Sequence, residues 1–484
     1  MSAGEQLSPG HTGQATPDSL TALVEQHHVD IIPASARHGR PRDQFTLWYG
    51  ANANVVNFTL GVLAILFGLN LFWALVAIVV GNVLGMLLTA LHAWQGPRLG
   101  VPQMIQSRGQ FGFYGANFIL LASIVLDIGY LAASQVLQGD SLNTLVSAVP
   151  VPAWIVIITL PAVALAIFGY RWIHQFQKVM TVIFSVVILV ALIQAATYGP
   201  VLHQYRGFHL SSGPILIATI GLFFMNMLSW APYVSDYSRY LPADVSFTRT
   251  FWAIFGGNVA TTTLFAGLGA WIATLVPTAT GNPIGALAKV SGLWIMFFMG
   301  ISQIPGDTLN AYTGMMAFAS LGSNSKKVMA AQARQAVRLT GILIIFVTGT
   351  VLAAIGYRSF LTSFENFINV LLFFFVPWSA INLVDYYVVK RGSYDVPSFF
   401  SPNGIYGRIQ WWACTAYVIT LAVQVPFLDQ TFYTGPFVKQ LGGADISWIV
   451  GFVVATGLYL AGAWRGAGRN APATAAPVGA APAD

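Results

Sequence analysis

Two aspartates sit where carboxyl groups are rare. Asp127 lies in LLASIVLDIGYLAASQ and Asp307 in GISQIPGDTLNAYTG, each inside a long apolar run. Burying a carboxylate is costly unless it is paired, and no Lys or Arg stands near the middle of any apolar run of this chain. A carboxyl in that setting can hold and release a proton, accept hydrogen bonds from a ligand, or meet a cation. Other polar or breaking residues occur at comparable places. Tyr130 follows Asp127 by about one turn, and Asn310 follows Asp307 beside Pro305 and Gly306. The stretch FFMNMLSWAPYVSDYSRY brings Ser229, Trp230 and Pro232, and GANANVVNFTLG brings Asn52, Asn54 and Asn57 between Gly50 and Gly61. Pro232 removes a backbone donor and clashes with the preceding turn, which frees a carbonyl. Aromatic faces, amide and hydroxyl edges and carboxyls near freed backbone make up a binding site for a small polar molecule. Asp127, Tyr130, Ser229, Trp230, Asp307 and Asn310 are its candidate ligands, and Asp127, Asp307, Asn52 and Asn54 are candidates for coupling-ion or gating roles.

What positions them is a membrane. The chain of 484 residues is 56% hydrophobic and 8% charged, with a mean hydropathy of +0.67. A soluble domain carries about 25% charged residues, so lipid must be the solvent for most of this chain. About 20 apolar residues cross a bilayer as a helix. Twelve segments qualify: roughly 45–68, 71–93, 112–138, 151–169, 178–198, 212–240, 250–275, 289–320, 336–356, 365–390, 409–427 and 444–464. With the N-terminus inside, 18 of the 22 basic residues fall on the inner side, and only Arg206, Lys289, Arg358 and Lys439 fall outside. That asymmetry predicts both termini in the cytoplasm and an integral cytoplasmic-membrane protein.

Interrupted helices at matching places in two halves of a chain point to a transporter site. The first and sixth segments match if the core is two five-helix repeats. The division expected is a polar N-terminal segment 1–44, a ten-helix core 45–390, a loop with two further helices 391–464, and a disordered Ala/Pro-rich tail 465–484. Asp236, Arg239, Asp385, Lys390 and Arg391 stand at helix ends and read as interfacial contacts on the cytoplasmic side; His92 and His174 also stand at inner helix ends. The single cysteine, Cys414, excludes an intrachain disulfide. There is no GK[ST] phosphate loop, no HExxH and no GxSxG, and the histidines are scattered, so neither an ATPase, a metal centre nor another membrane enzyme is expected. Nucleic acid is not an expected partner either, because the basic residues sit in short loops rather than in one patch.

The stretches LWYGANANVVNFTLG, GNVLG, GPRLGVPQMIQSRGQFGFYGA, SWAPYVSDYSRYLP, DTLNAYTGMM and DYYVVKRGSYD together resemble the nucleobase–cation symporter family, in its purine/cytosine permease branch, over about residues 41–464. The resemblance implies an all-α membrane fold of about twelve helices: a five-plus-five inverted-repeat core plus two C-terminal helices, working by alternating access. It implies a flat heterocycle held between aromatic rings and read at its edge by amides and hydroxyls. DIGY puts Asp127 where the family has Gln or Asn and Tyr130 where it has Trp; SWAP supplies Ser229 and Trp230, and DTLN supplies Asp307 and Asn310. The family's sodium-dependent members bring Ser or Thr hydroxyls from the eighth helix, where this chain reads Gln303, Ile304 and Pro305. The expectation is therefore import of a nucleobase or related heterocycle, with H+ rather than Na+ as coupling cation and no other cofactor. The alternatives are a same-fold transporter of allantoin or hydantoin, a vitamin-like pyridine, a cationic ligand or an amino acid, and more remotely a channel.

Overall fold

In the computed structural model the backbone is described for residues 29–276, 278–279, 281–322 and 331–465. The expected terminal tail and most of the N-terminal segment lie outside the described residues. Helices dominate, and a two-stranded hairpin, β1 (Asp429–Gln430) with β2 (Tyr433–Thr434), is the only sheet among the described residues.

Among the described residues eight helices are long and apolar enough to cross a membrane, and a pair bent by 60°, α1 (Pro41–Asn52) with α2 (Val55–Leu66), makes nine if the pair is counted as one broken span. The straight ones are α3 (Leu71–Leu99), α4 (Asn117–Leu145), α5 (Val151–Phe168), α6 (Tyr170–Tyr198), α9 (Phe247–Leu275), α12 (Ala331–Gly356), α13 (Phe360–Val384) and α15 (Ser447–Trp464). The other three predicted spans are short or broken. The sixth is α7 (Gly213–Leu228), turns through Ser229–Tyr233, then α8 (Val234–Ser238). The eighth is α10 (Trp294–Ile301), a break at Ser302–Gln303, then α11 (Ile304–Gly322), and the eleventh is α14 (Trp411–Gln424).

Packing follows the repeat. The first span packs on the seventh (α2 and α1 on α9), as the sixth packs on the second (α7 on α3). The third packs on the ninth (α4 on α12), as the eighth packs on the fourth (α11 on α5), and the third and eighth pack on each other. Shifting every span by five positions maps these pairs onto one another. The halves are related in space although their sequences are not visibly alike. Close approach is bought by glycine at the α2–α9 crossing: a Cβ on Gly61 would lie 1.8 Å from the Ala266 carbonyl oxygen.

The end of the bundle expected to face the cytoplasm is more buried than an interfacial reading implies. Asp236, Arg239 and Asp385 are all enclosed by protein. The segment after α3 folds back under the bundle and pairs with the segment after α13, where Phe113 N donates to Gly407 O and Gln410 N to Phe111 O. His92 is buried as well, its ring stacked on Trp378 at 4.8 Å.

Candidate functional site

The two helix breaks meet. Between α1 and α2, Ala53 and Asn54 leave helical geometry, and Asn54 then caps α2 by accepting from Asn57 N at 2.9 Å. The Asn54 amide donates back to Ala51 O at 2.8 Å, and the Asn57 amide donates to Asn52 O at 2.8 Å. The carbonyls that the bend frees are thus taken up by the chain's own side chains. Asn52 donates to Asn258 Oδ1 on α9 at 2.6 Å and accepts from Thr262 at 3.2 Å, while Asn226 on α7 donates to Asn57 Oδ1 at 2.8 Å. An amide chain therefore runs from α7 through the first break to α9.

Beside this chain is a small closed pocket. Its aromatic side is made by Tyr130, Trp230 and Tyr233, with the Trp230 and Tyr233 rings 5.5 Å apart at 73°. Its polar side is made by Asn52, Asn54, Asn57, Asn226, Ser229, Gln303 and Asn310. The cavity measures about 10 Å³, room for roughly one water. A planar ring of six to nine atoms needs more, so Trp230, Tyr130 and the amides must part to admit one. Behind Trp230 stands Trp48 of α1, in edge contact at 5.3 Å. Tyr130 is backed by Phe367 at 5.6 Å.

Of the residues singled out in the sequence, Tyr130, Ser229, Trp230, Asn310, Asn52 and Asn54 share this pocket, and Asp127 and Asp307 stand outside its lining. Both aspartates lie on the seam between α4 and α11, buried and outside any ion pair among the described residues. Asp127 Oδ1 accepts from Thr313 at 3.1 Å, and its Oδ2 has no partner. Asp307 accepts from Ser134 and, at 2.7 Å, from the Gln138 amide. Asn226, Tyr233, Ser134 and Gln138 are not among the residues singled out in the sequence. Ser134 and Gln138 had a signal: with Asp127 they recur at i, i+7 and i+11, one face of a helix.

A larger cavity, about 420 Å³, lies between the C-terminal end of α4, the loop after α9 and the α12–α13 turn, with Leu137, Asp140, Asn143, Asn282 and Arg358 on its walls. Leu137 is two turns beyond Tyr130 on the same face of α4, so that face leads from this cavity, the outer one in the proposed orientation, to the pocket.

Comparison with known proteins places this arrangement. YxlA of Bacillus subtilis, which carries the provisional name of a purine-cytosine permease, is 36% identical over 90% of this chain and 95% of its own length. The purine-cytosine permease fcyB of Emericella nidulans is 25% identical over 94% of this chain and 92% of its own length. Among solved structures, the nucleobase-cation-symport-1 family transporter Mhp1, closed with bromovinylhydantoin bound, superposes with a TM-score of 0.75 at 18% identity, covering 93% of this chain and 97% of that one. Residues 31–451 match the family described as permeases for cytosine/purines, uracil, thiamine and allantoin, and the chain belongs to that family.

Proposed function

We propose that this chain is a secondary active transporter that imports a nucleobase or closely related planar heterocycle, cytosine or a purine first, by proton symport and alternating access. It is an integral membrane permease rather than an enzyme, and in this reading it sits in the plasma membrane with both termini cytoplasmic. The observation that carries the reading is the pocket where the first, third, sixth and eighth spans meet. It pairs aromatic faces with a set of amides and hydroxyls. A flat base has two π faces for stacking and a fixed donor–acceptor edge, and amides can match either sense of that edge. Tyr130 and Trp230 are the stacking pair in this proposal, with Ser229 and Asn310 on the edge; Asn52 and Asn54 hold the bend that must move.

Proton rather than sodium coupling is favoured by the donor set at the junction of the breaks. A sodium ion there would have to share its oxygens with hydrogen bonds already made. Ala51 O and Asn52 O already accept from Asn54 and Asn57, and Ser302 Oγ accepts from Val55 N at 3.0 Å while donating to Met299 O at 2.7 Å. Two buried carboxyls, Asp127 and Asp307, stand close by for a proton.

The test is uptake of radiolabelled cytosine into proteoliposomes under an imposed pH gradient or an imposed sodium gradient. Unlabelled adenine, hypoxanthine, uracil, allantoin and pyridoxine serve as competitors. Accumulation driven by the pH gradient and suppressed by bases is expected. Sodium-driven accumulation overturns the coupling proposal. Competition by allantoin or pyridoxine alone moves the substrate to that class.

A further inference from the structure

The seam between α4 and α11 has a register that separates the two aspartates by function. The helices run antiparallel, Leu142 packing at Gly300, Gln138 and Ser134 on Asp307, and Asp127 on Thr313 and Gly314. Asn310 lies between the two carboxyl levels on α11, and Tyr130 lies between them on α4. Asp307 is therefore level with the base pocket but outside its lining, with Gln303 and Asn310 of that lining one turn to either side; it stands in the first turn of α11 directly after the eighth-span break, and its backbone N–H donates to Gln303 O across that break at 2.7 Å.

We propose that Asp307 is the residue that binds the coupling proton, and that Ser134 and Gln138 are the positioning residues that let it load and unload while the seam stays intact. This rests on the transport reading above. The argument is hydrogen-bond bookkeeping in a dry site. As a carboxylate, Asp307 only accepts; as an acid it must also donate, and a buried O–H without an acceptor is costly. Both partners serve either state. Gln138 presents its Nε2 to the carboxylate, and its Oε1 has no hydrogen-bond partner among the described residues, so a half-turn of the amide offers an acceptor to an Asp307 O–H. The Ser134 hydroxyl also reaches Leu131 O at 2.8 Å, so it can donate there and accept from the acid instead. Asp127 has only half of such a clasp. Thr313, which also reaches Leu309 O and Asn310 O, can serve its Oδ1 in either state, but its Oδ2 has no hydrogen-bond partner among the described residues, whereas both Asp307 oxygens have one. The titratable groups around Asp127 are Asp236, Tyr130 and Tyr233. Among the described residues the side chains that bond Asp307 across the seam are the neutral Ser134 and Gln138. In the cycle, a proton from outer water adds to an Asp307 oxygen, the Gln138 amide turns to accept it, and the proton leaves to inner water once the seam opens on that side.

The experiment uses the full chain in proteoliposomes with two transport assays and one spectroscopic one. Cytosine counterflow at equal pH needs no net proton movement, whereas uptake under an imposed pH gradient does. Asp307→Asn should keep counterflow within about threefold of the parent and lose gradient-driven accumulation. Gln138→Leu and Ser134→Ala should move the pH of half-maximal driven uptake by about one unit, the size of one charge-assisted hydrogen bond, with the KM for cytosine in counterflow unchanged within twofold. Ser134→Thr, which keeps the hydroxyl, should restore the parent profile. The infrared carboxyl band that titrates in the parent should vanish in Asp307→Asn and shift in Gln138→Leu, whether or not cytosine is the substrate. A titrating band untouched by Asp307→Asn, driven accumulation lost in Asp127→Asn but kept in Asp307→Asn, or parent pH profiles in both Ser134→Ala and Gln138→Leu overturns the inference. Absence of cytosine counterflow in the parent with an intact carboxyl titration overturns the choice of substrate and leaves the proton site standing.

Discussion

The backbone N–H of Val55 donates to the Ser302 hydroxyl at 3.0 Å, so a single hydrogen bond ties the break in the first span to the break in the eighth. Ser302 donates onward to Met299 O at the end of α10. In the alternating-access cycle proposed above the two breaks must part to admit substrate, so this tie belongs to the closed arrangement. Ser302→Ala should lose about 1 kcal/mol of stability in detergent, read as a lower midpoint of thermal unfolding, and should raise the accessibility of the pocket to solvent probes. Ser302→Thr should retain both properties. An alanine variant with the parent's melting curve and accessibility would show that the tie does not matter.

The amide chain Asn226–Asn57–Asn52–Asn258 crosses three spans, and its members should behave as one unit. Asn57→Ala leaves the Asn226 amide and the Asn52 carbonyl without partners in a buried site. A loss of about 10-fold in substrate affinity is expected for that change, and a similar loss for Asn226→Ala. The double variant should lose little more than either, with a coupling energy of about 1 kcal/mol or greater. Simple addition of the two losses in a binding assay would mean that the residues act separately.

The extent to which this was legible beforehand follows from what each feature is made of. Spans are made of hydropathy, so all twelve segments could be placed. The breaks are made of Pro, Gly and Asn, and Pro232 and the Asn52–Asn57 stretch marked them. The pocket residues Tyr130, Ser229, Trp230 and Asn310 were visible as polar or aromatic interruptions. The partners of those residues were not. Asn226 and Tyr233 are ordinary residues until α7 is seen to cross α2, and crossing is a long-range fact. Burial at the inner end was also hidden, because Asp236, Arg239 and Asp385 lie at helix ends that hydropathy assigns to the interface. They are covered by residues far apart in sequence: Asp236 by Gln103, Arg239 by Asp30 and Met316, and Asp385 by Gln110, Tyr394 and Tyr459.

The face of α4 that joins the outer cavity to the pocket supplies a steric prediction. Leu137 borders the cavity of about 420 Å³, two turns above Tyr130. Leu137→Trp adds bulk on the path and touches none of the residues that line the pocket. Outward-side association of substrate should slow by about 10-fold or more, while affinity measured at equilibrium from the inner side of open membranes changes by less than threefold. Equal slowing from both sides would put the path elsewhere.

Asp385 is the anchor of the inner closure. Its Oδ2 accepts from Tyr394 at 2.6 Å and from Gln110 at 3.1 Å and lies 3.5 Å from Lys390 Nζ, while its Oδ1 accepts from Tyr459 at 2.8 Å. One fully buried carboxylate thus joins the loop after α3, the loop after α13 and the last helix. Lys390 donates to Gly109 O at 2.8 Å and lies over the rings of Tyr394 and Tyr406, so its charge is also held inside protein. Removing the anion strands these groups together. Asp385→Ala should cost about 3–5 kcal/mol, enough to show as poor recovery of monodisperse protein and a strongly lowered unfolding midpoint. Asp385→Asn keeps one acceptor for Tyr459 or Tyr394 and should cost less, which separates the loss of hydrogen bonds from the loss of charge. An alanine variant within about 1 kcal/mol of the parent would mean that the paired loops hold without the carboxylate, through contacts such as Phe113 with Gly407.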